Sequence, residues 1–394
     1  MINKGCARPA SRVIDFAGAL ASPREGGGCA GVCHDFLMAA QTPPRAEVTV
    51  DLGAVRHNVA LLAARAGDAE TMAVVKADGY GHGAVEVARA ALEAGATWLG
   101  SCSAAEAAAL RAAGIDAPIL AWLDVPGAEV PPDVDLAVSS VEQLRGLSGR
   151  RIHLKIDTGL CRNGCPHELW PDLVKAAAAS DNEVYAVWSH LACADEPGHP
   201  SVDSQAKRFA DAYQVALDAG LTPKRHLANS AATLDRPDLR FDMVRVGIAM
   251  YGLNPLPTKE DLRPAMTFRS SVALTKRIDA GKSVSYGQSW TAERPTTLAL
   301  VPVGYADGVP RLLSGRFDVL LGGIRRPVRG RVCMDQILVD CGDDEVRVGD
   351  EVVLFGPGDR GEPTAREWAD TLGTIDYEIV TGMYRPRLVR RYVG

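Results

Sequence analysis

The sequence predicts an α/β fold in which a (β/α)8 barrel of the TIM type is followed by a C-terminal β-rich domain. Three observations lead to this prediction. The chain has 394 residues, which is enough for two domains. From residue 46 onward, short β-rich runs alternate with alanine-rich segments over about 200 residues, as in repeated βα units. Beyond residue 265, long helical segments disappear, and glycine and proline turns separate the apolar runs.

Residues 1–44 lack both the helical and the strand period of the remaining chain. They contain the sequence GGGC, two further cysteines and several arginines, a composition typical of a disordered tail. Their apolar run VIDFAGALA is interrupted by Asp15 and does not suit a secretory signal. We therefore predict a disordered tail over residues 1–44 and consider Met38 as an alternative start.

The barrel is predicted over residues 45–265. This range contains nine strand-like runs, one more than the eight strands of the barrel. The first run, VTVDL at residues 48–52, precedes the regular alternation, so we expect it to pair with the C-terminal domain. Intervening segments such as AAEAAALRAAGI suit helices that pack on a sheet. The predicted barrel strands are residues 72–77, 98–102, 118–123, 136–140, 152–157, 184–190, 225–230 and 243–252.

The C-terminal β-rich domain is predicted over residues 266–394. Runs such as TFRSSVALTKRI, TTLALVPVGYADG and VRGRVCMDQILVDC indicate strands joined by short turns. The segment TAREWADTLG near the end has the composition of a short helix, and we predict one there.

The charge balance gives no reason to expect nucleic acid or an anionic membrane as a partner. The chain carries 43 basic and 49 acidic residues, a net charge of −6 with neutral histidines. No uninterrupted apolar stretch approaches the roughly 18 residues that a membrane helix needs. We therefore predict no nucleic-acid or membrane partner.

The nine cysteines are scattered without a repeating spacing, which favours reduced thiols and a cytoplasmic location. Two groups, Cys29 with Cys33 and His34 and Cys161 with Cys165 and His167, could be considered metal clusters. Neither has the spacing of a zinc ribbon, so we expect no metal site.

Polar residues follow several predicted barrel strands at the point where each strand ends. Function in such barrels gathers at the C-terminal ends of the strands, so these side chains are expected to share one rim. The set consists of Lys76, Lys155 with Asp157, His190, Asn229 with Ser230, and Arg245 with Gly247.

Lys76 ends the apolar run MAVVKA and is followed at once by the loop DGYGHG. A lysine among apolar neighbours has a lowered pKa and is available as a neutral amine. A neutral amine condenses with aldehydes, which is how pyridoxal phosphate is held by proteins. The glycines allow the backbone to close on an anion, and Tyr80 offers a hydroxyl. The loop therefore favours a cofactor site over a lysine that merely extends to solvent.

Eight motifs in order resemble those of the alanine racemase family of bacterial barrel-fold enzymes. The resemblance covers essentially all of residues 46–394 and leaves only the N-terminal tail outside it. The motifs are KADGYGHG (76–83), HLKIDTGLCRNG (153–164), WSHLACAD (188–195), HLANSAAT (226–233), MVRVGIAMYG (243–252), PVGYADG (302–308), VCMDQ (332–336) and IDYE (375–378).

The resemblance implies that Lys76 holds pyridoxal 5′-phosphate as an internal aldimine and that Arg245 faces the pyridine nitrogen. Because arginine does not readily release its proton, that nitrogen would stay unprotonated, which restrains competing reactions such as transamination. The residues that the resemblance assigns to the phosphate are Tyr80, Ser230, Gly247, Ile248 and Tyr377.

Racemisation needs a proton donor and acceptor on each face of Cα. The resemblance implies that Lys76 serves one face and that Tyr305 of a partner subunit serves the other, with His190 as the hydrogen-bond partner of that tyrosine. The implied unit is a homodimer with shared sites. Met334 of the partner would contribute a backbone N–H to the substrate carboxylate.

Three further residues, and Tyr377 a second time, have roles implied by the resemblance. Arg162 would contact the cofactor's phenolic oxygen and the substrate carboxylate, and Lys155 would be a site of carbamylation that holds Arg162 in place. Tyr286 and Tyr377 would narrow the entrance. Leu160 and Cys161 depart from the common family pattern after DTG, which affects expectations for substrate range and rate.

The predicted function is the interconversion of L-alanine and D-alanine, supplying D-alanine for peptidoglycan. A racemase of broader range, including serine or lysine, is the nearest alternative. A barrel-fold decarboxylase is opposed by Arg245 and by the tyrosine of GYADG. A non-enzymatic carrier of pyridoxal phosphate would need Lys76 but neither Tyr305 nor Arg162.

Overall fold

The computed structural model describes residues 44–125 and 127–394. Except for residue 44, the predicted disordered tail lies outside the described residues. The same is true of Met38 and of the group Cys29, Cys33 and His34. No helix within the described ranges is long and apolar enough to cross a membrane.

Eight parallel strands close into a barrel, which confirms the predicted fold class. Neighbouring strands pair in chain order, and the last strand pairs with the first, for example Met243 opposite Glu70. The strands are β2 (Glu70–Val74), β3 (Trp98–Ser101), β4 (Ile119–Ala121), β5 (Asp135–Val138), β6 (Arg151–Lys155), β7 (Glu183–Trp188), β8 (Lys224–His226) and β9 (Met243–Val246).

Strand β1 (Ala46–Asp51) lies outside the barrel, although it precedes all of the barrel strands. It pairs antiparallel with β10 (Met266–Ser271) and parallel with β19 (Val389–Val393). The beginning of the barrel segment is therefore tied into the C-terminal sheet through backbone hydrogen bonds.

The barrel helices, apart from α2, which is an irregular turn at the rim, are amphipathic or alanine-rich segments that cover the outer face of the strands. Helix α4 shows why they begin where they do. The Ser103 hydroxyl accepts a hydrogen bond from Glu106 N (3.3 Å), and the Glu106 carboxylate accepts one from Ser103 N (3.4 Å), a capping box. The helices are α1 (Leu52–Ala66), α2 (Lys76–Tyr80), α3 (Ala84–Glu93), α4 (Ala104–Ala112), α5 (Val141–Arg145), α6 (Trp170–Ala178), α7 (Pro200–Asp218) and α8 (Ser230–Asp235).

The C-terminal domain is a nine-stranded sheet in the order β11-β14-β17-β16-β15-β18-β10-β1-β19. Alternate residues of β10 and β17 are buried, the pattern of a sheet with one face on a core. The remaining strands are β11 (Leu274–Ile278), β12 (Ser283–Val284), β13 (Trp290–Thr291), β14 (Thr296–Val301), β15 (Asp318–Leu321), β16 (Ile324–Arg329), β17 (Ile337–Gly342) and β18 (Glu351–Phe355).

Two helices of the C-terminal domain complete the fold. The predicted helix in TAREWADTLG is α9 (Ala365–Leu372), which Thr364 caps by accepting a hydrogen bond from Glu367 N (3.2 Å). The second, α10 (Asp376–Thr381), packs against the turn after β2 so closely that a side chain at Gly81 would lie 2.3 Å from the Val380 carbonyl oxygen. The C-terminal domain therefore forms one wall of the barrel mouth.

Candidate active site

A cavity of about 570 Å³ opens at the C-terminal ends of the barrel strands. Such a rim is where residues from different strands converge in this fold. Eleven of the residues singled out from the sequence line it: Lys76, Tyr80, Lys155, Arg162, His190, Asn229, Ser230, Arg245, Gly247, Ile248 and Tyr377.

Lys76 lies two residues after the end of β2 and is half-buried in the cavity. Burial lowers the pKa of its amine; the charge of Arg162 acts in the same direction, whereas Cys102 and Glu106 oppose it. The amine nitrogen lies 5.8 Å from the centre of the Trp122 ring, which forms one wall of the cavity beside it. Lys76 is thus suited to act as a nucleophile or a base.

The residues after Lys76 form a left-handed turn. Ala77, Asp78 and Tyr80 have φ angles of 53°, 52° and 51°, a conformation that costs roughly 1–2 kcal/mol for each residue other than glycine. Glu106 stabilises the turn by accepting a hydrogen bond from Ala77 N (2.8 Å). Asp78 accepts one from Ala84 N (3.0 Å) and pairs with Arg390 of β19 at 2.7 Å. The turn is therefore held by both domains.

A cluster of hydroxyl and backbone N–H groups lies beside this turn. Ser230, the first residue of α8, accepts a hydrogen bond from Gly247 N (2.8 Å). Tyr80 packs near Tyr377, with 6.0 Å between ring centres, and burial raises the pKa of both phenols, so they remain donors. Ile248 begins the short helix that follows Gly247. Such groups suit a phosphate.

Arg245 is buried below these groups and makes five hydrogen bonds, all to neutral acceptors. Three acceptors are backbone carbonyls, those of Ser189 (2.8 Å), His226 (3.0 Å) and Leu227 (3.2 Å). The other two are the Nδ1 atoms of His190 and His226, each at 3.2 Å. Burial lowers the pKa of Arg245 to about 9, which leaves it charged at neutral pH.

The direction of the bond between Arg245 and His190 is fixed because a guanidinium only donates. His190 Nδ1 therefore accepts, and its proton lies on Nε2. Burial and then the charge of Arg245 hold the pKa of His190 well below its usual range. His190 is a neutral ring with one N–H left to donate.

Lys155, the last residue of β6, is almost fully buried beside Arg245 and Arg162. Burial lowers its pKa to about 7, and the charges of the two arginines contribute. Its amine lies 4.2 Å from the centre of the Trp188 ring. Near neutral pH a large fraction of this amine is therefore uncharged.

Tyr286, Tyr305 and Met334 do not line the cavity of the same chain. They are 70%, 40% and 52% exposed on the C-terminal domain. Tyr305 N donates to the Cys333 carbonyl (3.0 Å), which places Tyr305 beside the loop of Met334. We call the surface of Tyr286, Tyr305 and Met334 the exposed aromatic face.

The loop of Tyr305 is rigidly anchored. Asp307 is completely buried, accepts a hydrogen bond from Gly304 N (2.9 Å) and pairs with Arg45 and Arg387. A buried carboxylate with such partners resists displacement because breaking the pairs leaves an uncompensated charge. The exposure of Tyr305 is therefore a feature of an ordered surface.

Sequence reasoning missed several residues of the cavity and its floor. Trp122 and Trp188 supply its apolar walls, and His226 and His153 lie beneath Arg245. The position of His153 could have been predicted from the sequence. In IHLKID it alternates with apolar residues and lies on the same strand face as Lys155, and a face that carries a rim lysine should point into the barrel.

Comparison with known proteins agrees with this geometry. The family models "Alanine racemase, N-terminal domain" and "Alanine racemase, C-terminal domain" match residues 50–255 and 265–392. A curated alanine racemase from Frankia casuarinae is 54% identical over 371 residues, covering 89% of this chain and 96% of the relative. The chain belongs to the alanine racemase family, which confirms the family and enzyme class predicted from its motifs.

Solved structures give the same result. The crystal structure of alanine racemase from Streptomyces lavendulae superposes with a TM-score of 0.86 and 48% identity, covering 90% of this chain and 98% of that one. An alanine racemase from Bartonella henselae has a TM-score of 0.81 and 29% identity, covering 89% and 100%. That structure is described as having covalently bound pyridoxal phosphate.

The close contact between Gly247 and Tyr80 yields a test of the cavity geometry. A Cβ at position 247 would lie 2.7 Å from the Tyr80 hydroxyl oxygen. Gly247→Ala is therefore expected to lower the free energy of unfolding by about 1–3 kcal/mol, measured by urea titration.

The clash has a specific remedy and a matched control. Tyr80→Phe removes the hydroxyl, so the double variant should be more stable than Gly247→Ala alone. Gly146→Ala, where the nearest atom is 3.6 Å away, should change stability little. A Gly247→Ala protein as stable as the unaltered chain would contradict the packing described here.

Proposed function

We propose that this chain is a pyridoxal 5′-phosphate-dependent racemase that interconverts L-alanine and D-alanine. The observation that carries the proposal is the combination, in one cavity, of a lysine of lowered pKa with a buried arginine bonded only to neutral groups. The residues present fit the cofactor: Lys76 for its aldehyde, the hydroxyl cluster around Ser230 for its phosphate, and Arg245 for its ring nitrogen. Bound pyridoxal phosphate supplies an electron sink that acidifies the Cα–H of the amino acid.

Lys76 takes or gives the proton on one face of Cα. Burial lowers the pKa of its amine, which favours the unprotonated form that a base must have to act. Arg162, at the mouth of the same cavity, carries the charge that binds the substrate carboxylate.

Tyr305 serves the opposite face from a partner subunit in a homodimer. The exposed aromatic face supports this part of the proposal, because Tyr305 and Met334 are exposed beside an anchored loop and do not line their own cavity. His190 has its Nε2–H free to donate to the tyrosine oxygen, which favours the phenolate that acts as a base. Tyr286 and Tyr377 narrow the entrance.

Alanine is preferred to the broader substrate range because the similar proteins reported above are alanine racemases. A decarboxylase is not favoured, since Arg245 occupies the floor of the cavity. We further propose that the product D-alanine is used for peptidoglycan. The six cysteines that the structure describes are free thiols, which supports a cytoplasmic location.

The function is tested by incubating the purified protein with L-alanine in D2O and resolving the product by chirality and mass. We expect D-alanine that carries deuterium at Cα, because the proton returns from a group in exchange with solvent. Lys76→Ala should lower the rate by at least on the order of a thousandfold.

Tyr305→Phe is the corresponding variant for the second base. It should exchange the α-hydrogen of one alanine enantiomer only and should not convert that enantiomer into the other. No exchange by the unaltered protein with alanine would overturn the proposed function, and exchange with serine or lysine instead would establish the broader alternative.

Shared sites predict complementation between two inactive variants. In a mixed dimer of Lys76→Ala with Tyr305→Phe, one of the two sites receives an intact lysine and an intact tyrosine. After the two proteins are dissociated and reassociated in equal amounts, about one quarter of the unaltered activity should return. A mixture that stays inactive although mixed dimers form would show that Tyr305 does not act across an interface.

We also propose that Lys155 carries a carbamate. The nitrogen of its uncharged amine would bond to the carbon of carbon dioxide and release one proton to solvent, and the carbamate anion would attract the adjacent charge of Arg162 and hold it in place. Addition of 13C-labelled bicarbonate should give a carbamate signal in the 13C NMR spectrum. The signal should be missing from Lys155→Met, and its absence from the unaltered protein would refute the proposal.

A further inference from the structure

A chain of hydrogen bonds crosses the interior of the barrel below Arg245. Arg245 bonds His226 Nδ1 at 3.2 Å, His226 Nε2 lies 2.9 Å from His153 Nδ1, and His153 Nε2 lies 3.0 Å from a carboxylate oxygen of Asp135. Asp135 is the first residue of β5, whereas Arg245 lies near the end of β9. The chain therefore leads from the cofactor cavity toward the opposite end of the barrel.

The two ends of this chain fix the direction of every bond in it. The guanidinium of Arg245 can only donate, so His226 Nδ1 accepts and His226 Nε2 carries the proton. That N–H donates to His153 Nδ1, which leaves the second proton on His153 Nε2. The ionised carboxylate of Asp135 can only accept. Both histidines are therefore neutral rings of the same tautomer.

The chain is insulated from water. Both histidines are completely buried, and Asp135 is 3% exposed. The Trp188 ring stacks on His226 with 5.3 Å between centres, and the Trp98 ring meets His153 edge-on at 5.5 Å. In such surroundings hydrogen bonds polarise one another more strongly than in water.

We propose that His226, His153 and Asp135 are positioning residues that hold Arg245 toward the cofactor and balance its charge from a distance. The inference deepens the proposed function and rests on it, since it assigns a role to the groups beneath Arg245. A reversed tautomer at His226 would turn an N–H toward the guanidinium and displace it.

Asp135 is the anionic end of the hydrogen-bond chain. The five direct acceptors of Arg245 are neutral, and the chain ends on this carboxylate. Asp135 also accepts a hydrogen bond from Arg151 (2.8 Å), whose side chain is 34% exposed. If Asp135 were merely structural, its ion pair with Arg151 would be the contact that matters. If it is a positioning residue, its hydrogen bond from His153 is the contact that matters. Substitution of Arg151 should therefore be harmful only in the first case.

The first measurement is 15N NMR of the histidine-labelled holoenzyme. His226 and His153, assigned by substitution, should both show neutral rings protonated at Nε2. The NMR spectrum needs no substrate, whereas the proposed function is tested by racemisation of alanine by the unaltered protein. Failure of this inference can therefore be distinguished from failure of the proposed function. A charged ring or a proton on Nδ1 at either position would overturn the inference.

The second measurement compares variants at position 153. His153→Gln keeps an acceptor and a donor in the chain, whereas His153→Leu removes both. His153→Leu is expected to shift the absorption maximum of the bound cofactor and to lower kcat about tenfold, with KM within about twofold. His153→Gln should retain the absorption maximum and most of kcat.

Variants at the end of the chain decide the role of the carboxylate, even if His153→Leu does not fold. Asp135→Asn keeps an acceptor but removes the charge, and it should shift the His226 signals and lower kcat about tenfold. The control Arg151→Gln removes the ion pair at the outer end and should leave the His226 signals and kcat unchanged. Equal effects of Asp135→Asn and Arg151→Gln, or none in either, would overturn the proposal.

Discussion

Removal of water from positively charged groups is the constraint on which the site depends. Lys76, Lys155 and Arg245 line one cavity, and burial is the largest influence that lowers the pKa of each. The two lysines respond by approaching the neutral form, whereas Arg245 keeps its charge because its intrinsic pKa is so high. One environment thus produces reactive amines and a permanent cation a short distance apart.

The cavity depends equally on contact between the two domains. The left-handed turn after Lys76 is unfavourable by itself, and it is held by Glu106 from the barrel and by Arg390 from the C-terminal sheet. β1 explains how the sheet reaches that position, since it pairs with β19 before the chain enters the barrel. The C-terminal domain therefore supports its own chain's cavity at one edge and presents the exposed aromatic face at another.

The sequence was sufficient to predict the order of the barrel strands and part of the lining of the cavity, because polar residues at strand ends are visible in the alternation; others, such as Arg162 and Tyr377, were predicted from the family motifs. Lys155 and Arg245 illustrate this, since each stands out within an apolar run. The hydrogen-bond chain from His226 to Asp135 could not be predicted in the same way. Its members come from three strands, and their contacts depend on the tilt and closure of the barrel.

Two other features were beyond the reach of pattern analysis. The left-handed conformation of Ala77 and Asp78 contradicts the local preferences of both residues and arises only from tertiary hydrogen bonds. The pKa of Lys155 likewise depends on its surroundings in the folded chain. After burial, the charges of Arg245 in β9 and of Arg162 in the loop after β6 lower it further. Such effects follow from distances between elements, which residue order alone does not determine.

The most direct test of the central claim is a pH titration of Lys155 in bicarbonate-free buffer. The 13Cε signal of this residue in lysine-labelled holoenzyme, assigned with Lys155→Met, reports the protonation of its amine. The account predicts a midpoint at about pH 7, because burial and two arginine charges disfavour the ammonium form. A midpoint near the ordinary value of about 10.4 would show that the cavity does not desolvate its cations, and the explanation given for the reactive amines would be wrong.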